Sequence, residues 1–169
     1  PHQERVSRLG LTVLGPVAEA AAGLRGVAYV IGIGSGSVRE RLAAVVDAAG
    51  LEAVSLVHPS AALDPDLDVP AGTVVCAHAS VTTNVHLGRH VHLDRGTTVG
   101  HDATLDDFST LHPLACVSGA VRVGARSRLG THSVILPGVS VGSDVMVGAA
   151  ACVVHDVADG DTVKGVPAR

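Results

Sequence analysis

Aliphatic side chains recur at every sixth position over more than half of this chain. Valine, leucine or isoleucine occupies 17 consecutive positions at this spacing, from Val57 to Val153, although these three residue types make up only 49 of the 169 residues. Small or β-branched residues stand four positions after most of them. Neither the period of a helix nor that of an isolated strand explains this spacing. A fixed six-residue period predicts a parallel β-helix.

Position within the hexad predicts which side chains are accessible. The aliphatic residue and the small residue two before it face the interior, whereas the residue between them faces outwards. The second and third residues after the aliphatic position fall at corners, where glycine, asparagine and aspartate suit tight turns. Three hexads make one triangular coil, and about five and a half coils stack at about 4.8 Å each. Only the outer faces and the corners can therefore meet a ligand.

Residues 1–57 do not follow the hexads and predict a small α/β domain before the β-helix domain at 58–169. We expect a strand at 11–14, a helix at 17–24 and a buried strand at 27–33. Ser37 would cap a helix at 38–49, with a strand at 53–57 after it. Strand, turn, helix and strand form a βαβ unit with a small parallel sheet. The fold class is therefore mainly β, with a partial α/β segment in front.

Composition excludes several classes of function. The formal net charge is −4 with only 12 basic residues, so nucleic acid is not an expected partner. No apolar run is long enough to span a membrane, and residues 1–5 do not read as a signal peptide. The three cysteines form no CxxC pair, and Cys116 and Cys152 would lie two coils apart, too far for a disulfide. A cytoplasmic location is therefore expected.

Ten histidines are present, and His101 stands out because Asp102 follows it at a predicted corner. An imidazole beside a carboxylate can act as a general base whose tautomer the carboxylate sets. A solvated polar corner without function is the alternative. His86 and His92 would lie on different faces and cannot share one ion, so no metal is expected.

A glycine turn precedes the second predicted helix, at Gly34-Ser35-Gly36. Such a turn would present backbone N–H groups and a helix N-terminus to a phosphate. A lone glycine turn between a strand and a helix is nevertheless a weak signal, and no GxGxxG fingerprint accompanies it. The turn remains open between a ligand site and a plain connection.

Four stretches together resemble one branch of the left-handed β-helix acyltransferase superfamily. They are His58–Ala61, Thr97–Asp102, Ile135–Val139 and Gly165–Arg169. The branch contains sialic acid O-acetyltransferases and nucleotide-linked 4-amino-sugar N-acetyltransferases. The resemblance implies a left-handed helix, acetyl-CoA as co-substrate, a nucleotide-linked sugar as partner, and a homotrimer with active sites between subunits. Members normally begin with further nucleotide-binding elements, so we expect residues 1–57 to be part of a larger substrate domain.

The same resemblance implies roles for six residues. His101 matches the catalytic base, and Asp102 matches the carboxylate that raises its basicity. Gly34 matches a glycine that touches the sugar nucleotide. Thr110, Thr131 and Ala149 match positions that line the acetyl-CoA groove in the family. Two departures are visible: Thr110 stands where many members have histidine, and Asp94 where asparagine is common.

The main prediction is an acetyl-CoA-dependent N-acetyltransferase acting on a nucleotide-linked amino sugar. O-acetylation of a sugar hydroxyl, as on a sialic acid, would use the same base and stays open. A β-helix carbonic anhydrase would need a second histidine five residues after His101, where Asp106 stands. A purely structural β-helix would carry a regular threonine ladder. One outward row instead runs through His92, Thr110, Arg128 and Met146.

Overall fold

The computed structural model describes residues 5–6 and 8–169, and the remaining residues lie outside the described part of the chain. The expectation about a signal peptide at 1–5 therefore falls almost wholly outside it. The helices that position the site are α1 (Val17–Gly23) and α2 (Gly36–Ala48). Strands β1 (Ala28–Tyr29) and β2 (Glu52–Ala53) pair in parallel on either side of α2, which confirms the small βαβ unit.

The rest of the chain winds about six turns through three parallel sheets, the architecture of a left-handed β-helix. The seven-stranded face consists of β3 (Leu56–Val57), β5 (Val74–Val75), β8 (His92–Leu93), β11 (Thr110–Leu111), β14 (Arg128–Leu129), β17 (Met146–Val147) and β19 (Thr162–Val163). The six-stranded face consists of β4 (Ala62–Leu63), β6 (Ser80–Val81), β9 (Thr98–Val99), β12 (Cys116–Val117), β15 (Val134–Ile135) and β18 (Cys152–Val153). The four-stranded face consists of β7 (His86–Leu87), β10 (Thr104–Leu105), β13 (Arg122–Val123) and β16 (Ser140–Val141).

Each strand is two residues long and presents one side chain outwards and one inwards. Leu93, Leu105, Leu111 and Leu129 are fully buried inside the prism, as the hexad period predicts. The small residues two positions earlier are buried beside them, for example Ala103. This inner column of aliphatic side chains forms the larger hydrophobic core and keeps successive coils in register.

Three corners join the faces, and we name each by one of its histidines. The His112 corner leads from the seven- to the six-stranded face, the His101 corner from the six- to the four-stranded face, and the His90 corner from the four- to the seven-stranded face. Many corner turns use a non-glycine residue in the left-handed region, including Asn84 (φ 56°) and Asp102 (φ 59°). Asparagine and aspartate tolerate this conformation better than most residues, which explains their place at corners.

The predicted boundaries of the α/β unit were wrong in several places. Residues 11–14 form no strand, and only Ala28–Tyr29 of the predicted strand at 27–33 pairs with a neighbour. Ser35 rather than Ser37 is the N-cap residue of α2, and the predicted strand at 53–57 divides between β2 and β3. The sheet has only two strands, so few of its residues gain ladder hydrogen bonds and apolar runs overstate its length.

The C-terminal end of the prism is more regular than the hexads suggest. Thr162 pairs with Met146, although the coil between them is shorter than the others. A further strand therefore forms after the six-residue period ends. The tail then closes the last coil, because the Cys152 N–H donates to the Gly165 carbonyl and the Ala168 N–H donates to the Cys152 carbonyl. Across the described residues, no helix has the length and apolarity that crossing a membrane would require.

Candidate active site

His101 and Asp102 form an ion-pair-like contact on the outside of the prism. The turn after β9 places both side chains in solvent, with 66% of the His101 and 51% of the Asp102 side chain exposed. His101 Nδ1 lies 2.7 Å from Asp102 Oδ2. An ionised carboxylate can only accept, so Nδ1 carries a proton in this contact, and in the neutral ring Nε2 then keeps its lone pair. The two residues predicted to act as a pair are thus hydrogen-bonded to each other.

The carboxylate of Asp102 is held in its charged form. The hydrogen bond from His101, followed by one from Asn84, lowers the pKa of Asp102 below the ordinary aspartate value. Asn84 Nδ2 donates to Asp102 Oδ1 at 2.5 Å from the coil below, 18 residues earlier in the chain. Asp102 is therefore ionised at neutral pH and able to stabilise a protonated imidazole.

Gly119 lies on the other side of the imidazole, one coil above His101. A Cβ atom at Gly119 would lie 2.6 Å from His101 Nε2 and 2.7 Å from its Cε1 atom, well inside van der Waals contact. The ring can take its position only because residue 119 has no side chain. Asn84, Asp102, His101 and Gly119 thus form a column along the His101 corner.

Gly34 lies over the seven-stranded face, away from the His101 corner. Its carbonyl accepts a hydrogen bond from Thr110 Oγ1 at 3.0 Å, and Thr110 is only 3% exposed. A cleft of about 290 Å³ opens between this turn and the sheet. Polar groups at its wall come from His92, Asp94 and His112. We call this space the Gly34 cleft.

Arg39 of α2 holds the Gly34 turn against the prism. Its side chain is fully buried and donates to the carbonyls of Ile33 (2.8 Å), His90 (3.2 Å), Phe108 (2.6 Å) and Ser109 (3.0 Å). Among the described residues no carboxylate pairs with it, and burial lowers the pKa of Arg39 to about 10. The guanidinium therefore joins the residue before Gly34 to two successive turns of the His90 corner.

A buried histidine, His90, and a half-buried one, His92, support the same junction. The His90 ring stacks between Tyr29 and Phe108, with centroids 6.2 Å and 4.9 Å away, and neither of its ring nitrogens has a hydrogen-bond partner. Burial lowers the pKa of both rings, and that of His92 falls to about 4. Both rings are therefore neutral at physiological pH, which suits their place beside the Arg39 cation.

Thr131 and Ala149 lie on the His112 corner, above the Gly34 cleft. Both are exposed, and they are stacked one coil apart because the Ala150 N–H donates to the Thr131 carbonyl at 2.9 Å. His112 of the cleft stands on the same corner one coil below Thr131. His112, Thr131 and Ala149 therefore follow one another along the same corner. Thr110, the third predicted groove residue, instead lies buried beneath Gly34.

One chain thus brings the six predicted residues together in two groups rather than one. Gly34, Thr110, Thr131 and Ala149 lie on or beside the seven-stranded face, whereas His101 and Asp102 lie on the far edge of the six-stranded face. Sequence reasoning missed Asn84 and Gly119 as neighbours of the pair. It also missed the structural role of Arg39. The first two lie 18 residues, one coil, from Asp102 and His101, so the coil period was a usable signal for both.

The histidines do not form a metal centre in the part of the chain that the structure describes. No group of three or more histidine, cysteine, aspartate or glutamate side chains there is arranged to hold a metal ion. His86 and His92 lie on the four- and seven-stranded faces respectively, as predicted.

Comparison with known proteins places this chain among acetyltransferases. No family model matches the sequence. The GDP-perosamine N-acetyltransferase of Escherichia coli is 28% identical over 146 residues, and the match spans 83% of this chain and 66% of that protein. The acetyltransferase domain of PglB from Neisseria gonorrhoeae is 36% identical with a TM-score of 0.81, over 83% of this chain and 68% of that one. PerB of Caulobacter crescentus, solved with CoA and GDP-perosamine, is 32% identical with a TM-score of 0.87, over 89% of this chain and 74% of that one.

The fold and the relatives are those of a hexapeptide-repeat acyltransferase. This chain belongs to the left-handed β-helix acetyltransferase family, together with the PglB acetyltransferase domain and the GDP-perosamine N-acetyltransferases. The family resemblance seen in the sequence is thereby confirmed.

Proposed function

We propose that this protein transfers an acetyl group from acetyl-CoA to the amine of a nucleotide-linked amino sugar. The observation that carries the proposal is the exposed His101–Asp102 pair, with Nδ1 bonded at 2.7 Å and Nε2 left as the basic nitrogen. Support for the substrate class comes from the relatives: PerB of C. crescentus was solved with CoA and GDP-perosamine, and the E. coli relative is named for the same sugar.

In the proposed reaction the sugar nitrogen attacks the thioester carbonyl directly. A bond forms between the nitrogen and the acetyl carbon, and the C–S bond to CoA breaks. His101 Nε2 takes the proton that the nitrogen loses and passes it to the departing CoA sulfur. Asp102 stabilises the imidazolium during this step, and backbone N–H groups at the site stabilise the oxyanion. No residue of the protein becomes acetylated.

We propose that the complete site forms between two subunits of a homotrimer. The Gly34 cleft and His101 lie at different edges of one prism, so a second chain has to supply one of them. The six-stranded face between these edges carries no charge on its outward positions, which are Ala62, Ser80, Thr98, Cys116, Val134 and Cys152. Turning this face of each chain towards a threefold axis would bring the His101 corner of one subunit against the His112 corner of the next.

In that arrangement acetyl-CoA would occupy the groove between subunits. Thr131 and Ala149 of one chain would line it, with the thioester near His101 of the neighbour. The sugar would enter from the Gly34 cleft, beside Thr110. All three cysteines are free, and we propose the cytoplasm as the compartment because thiols persist there.

A CoA-release assay tests the proposed function. Purified protein is given acetyl-CoA with a panel of nucleotide-linked 4-amino sugars, and with sialic acid as the O-acetylation control. We expect CoA release with an amino-sugar nucleotide, and a loss of about 10³-fold in His101→Ala. Release with sialic acid alone would establish O-acetylation instead. A His101→Ala variant with wild-type turnover would exclude the proposed base.

A further inference from the structure

Both oxygens of the Asp102 carboxylate are engaged, and by different coils of the prism. Oδ2 lies 2.7 Å from His101 Nδ1 in the same turn. Oδ1 accepts from Asn84 Nδ2 at 2.5 Å, across the gap to the coil below. The Asp102 N–H donates to the Thr83 carbonyl of that coil at 3.2 Å, so backbone and side chain are held from the same side.

The hydrogen bond from Asn84 restrains the Asp102 carboxylate, which packing does not hold in place. About half of the Asp102 side chain and two thirds of the His101 side chain are exposed, at 51% and 66%. An exposed carboxylate samples several rotamers, and water competes for the Nδ1 proton. Restraining Oδ1 leaves the carboxylate one orientation, in which Oδ2 faces Nδ1.

We propose that Asn84 is a positioning residue for acetyl transfer, because it fixes Asp102 in the orientation that keeps the His101 proton on Nδ1 and the lone pair on Nε2. The inference rests on the proposed function for the role of His101 as base. Asn84 itself touches neither His101 nor a substrate in this scheme. It acts as an outer hydrogen-bond partner of the kind that orients a reactive histidine through its carboxylate.

The coil geometry explains why asparagine serves at this position. Residues 84 and 102 are one coil apart and both adopt left-handed backbone conformations, with φ of 56° and 59°. Asparagine accepts this conformation and supplies an N–H donor, whereas aspartate accepts it but has no donor. The hydrogen bond from Asn84 also contributes to the lowered pKa of Asp102, after the larger effect of His101.

The decisive variant is Asn84→Gly, which removes the amide and keeps a residue suited to a positive φ. We expect kcat to fall about 10-fold with the KM for acetyl-CoA unchanged, in the range seen when such outer partners are removed. Nitrogen NMR of His101 should show a smaller fraction of the Nδ1–H tautomer. Asn84→Asp, which cannot donate and adds a like charge beside Asp102, should lose at least as much.

Asp144→Gly is the matched control. Asp144 is also a left-handed corner residue (φ 57°), and it also makes a one-coil side-chain contact, to Arg126 Nε at 2.8 Å. It lies on the His90 corner, in a later coil than His101 and at a different edge of the prism. This control should lose comparable thermal stability while keeping kcat and the His101 tautomer.

Two results would overturn the inference: wild-type kcat in Asn84→Gly, or an equal fall of kcat in Asp144→Gly. The NMR measurement separates this inference from the proposed function. If the wild-type protein transfers no acetyl group, the proposed function fails, and the tautomer of His101 in Asn84→Gly alone decides whether Asn84 positions Asp102. An unchanged tautomer would then refute the inference.

Discussion

The His101 ring lies directly against the backbone of Gly119, one coil above it. A Cβ atom at residue 119 would come within 2.6 Å of Nε2, the nitrogen that the proposed mechanism uses as the base. The φ of Gly119 is not positive, so an alanine there meets no backbone strain and acts only on the ring.

Gly119→Ala should therefore inactivate the enzyme without unfolding it. The added methyl group displaces the His101 ring, and a displacement of this size costs about 100-fold in kcat. Steady-state CoA release and thermal unfolding measure the two effects. Gly23→Ala is the control, because a Cβ there meets nothing within 4 Å and its φ is not positive either. Normal turnover in Gly119→Ala would show that the ring has another accessible position.

The prism and its corners could be predicted because a single period determines which side chain faces inwards. Placing His101 and Asp102 together at a corner needed only a count of hexads. Their partners Asn84 and Gly119 required one further step, adding or subtracting a full coil of 18 residues. Sequence reasoning followed this one-coil step along an outward face but did not apply it to the corner that holds His101 and Asp102.

Other features gave no usable signal in the sequence. Arg39 stands in a helix where a basic residue is ordinarily solvated, and nothing local marks it as buried. The strand at 11–14 was predicted from an apolar run that finds no partner among the described residues. Contacts with the prism decide the case of Arg39, and short strands such as the one predicted at 11–14 are the elements least determined by local pattern.

Replacing Arg39 should loosen the α/β unit from the prism. Arg39→Met keeps much of the volume but leaves the buried or part-buried carbonyls of Ile33, His90 and Phe108 without their side-chain donor, and each such group costs about 1–3 kcal/mol. We expect a loss of about 3 kcal/mol or more in the free energy of unfolding of this unit. Urea denaturation and hydrogen exchange of the α2 amides measure it.

Arg39→Lys should rescue this loss only in part, because a lysine ammonium has three N–H donors and cannot serve all four carbonyls. Equal protection of the α2 amides in wild type and Arg39→Met would contradict the role given to this side chain. Arg41→Met, on the exposed side of the same helix, controls for loss of a positive charge.

The stability of the protein should fall as the pH is lowered from about 6.5 to about 4. Burial lowers the pKa of His90, and that of His92 to about 4, whereas both rings titrate near 6.5 in the unfolded chain. The unfolded state therefore binds more protons in this window, and stability is lost as the pH falls. We expect a loss of about 1–2 kcal/mol from His92 between pH 6.5 and 5, and a further loss in the same direction from His90, measured by urea unfolding.

His90→Phe should reduce this pH dependence, because the phenyl ring cannot be protonated and can continue the stack between Tyr29 and Phe108. His155→Phe is the comparison, since His155 is exposed. A pH dependence unchanged in His90→Phe would show that other groups cause it.

Complementation between two inactive variants would test the proposed shared active site. Gly34→Phe fills the 290 Å³ cleft from an exposed position, and His101→Ala removes the base. Each variant alone should be inactive. The two are co-expressed with different tags, and the mixed oligomers are isolated by two successive affinity steps. Every mixed trimer contains one interface where an intact His101 meets an intact Gly34 cleft, so turnover should recover to about one third of wild type. If each chain instead used its own His101 and its own cleft, no intact site could form and the mixed trimers would remain inactive.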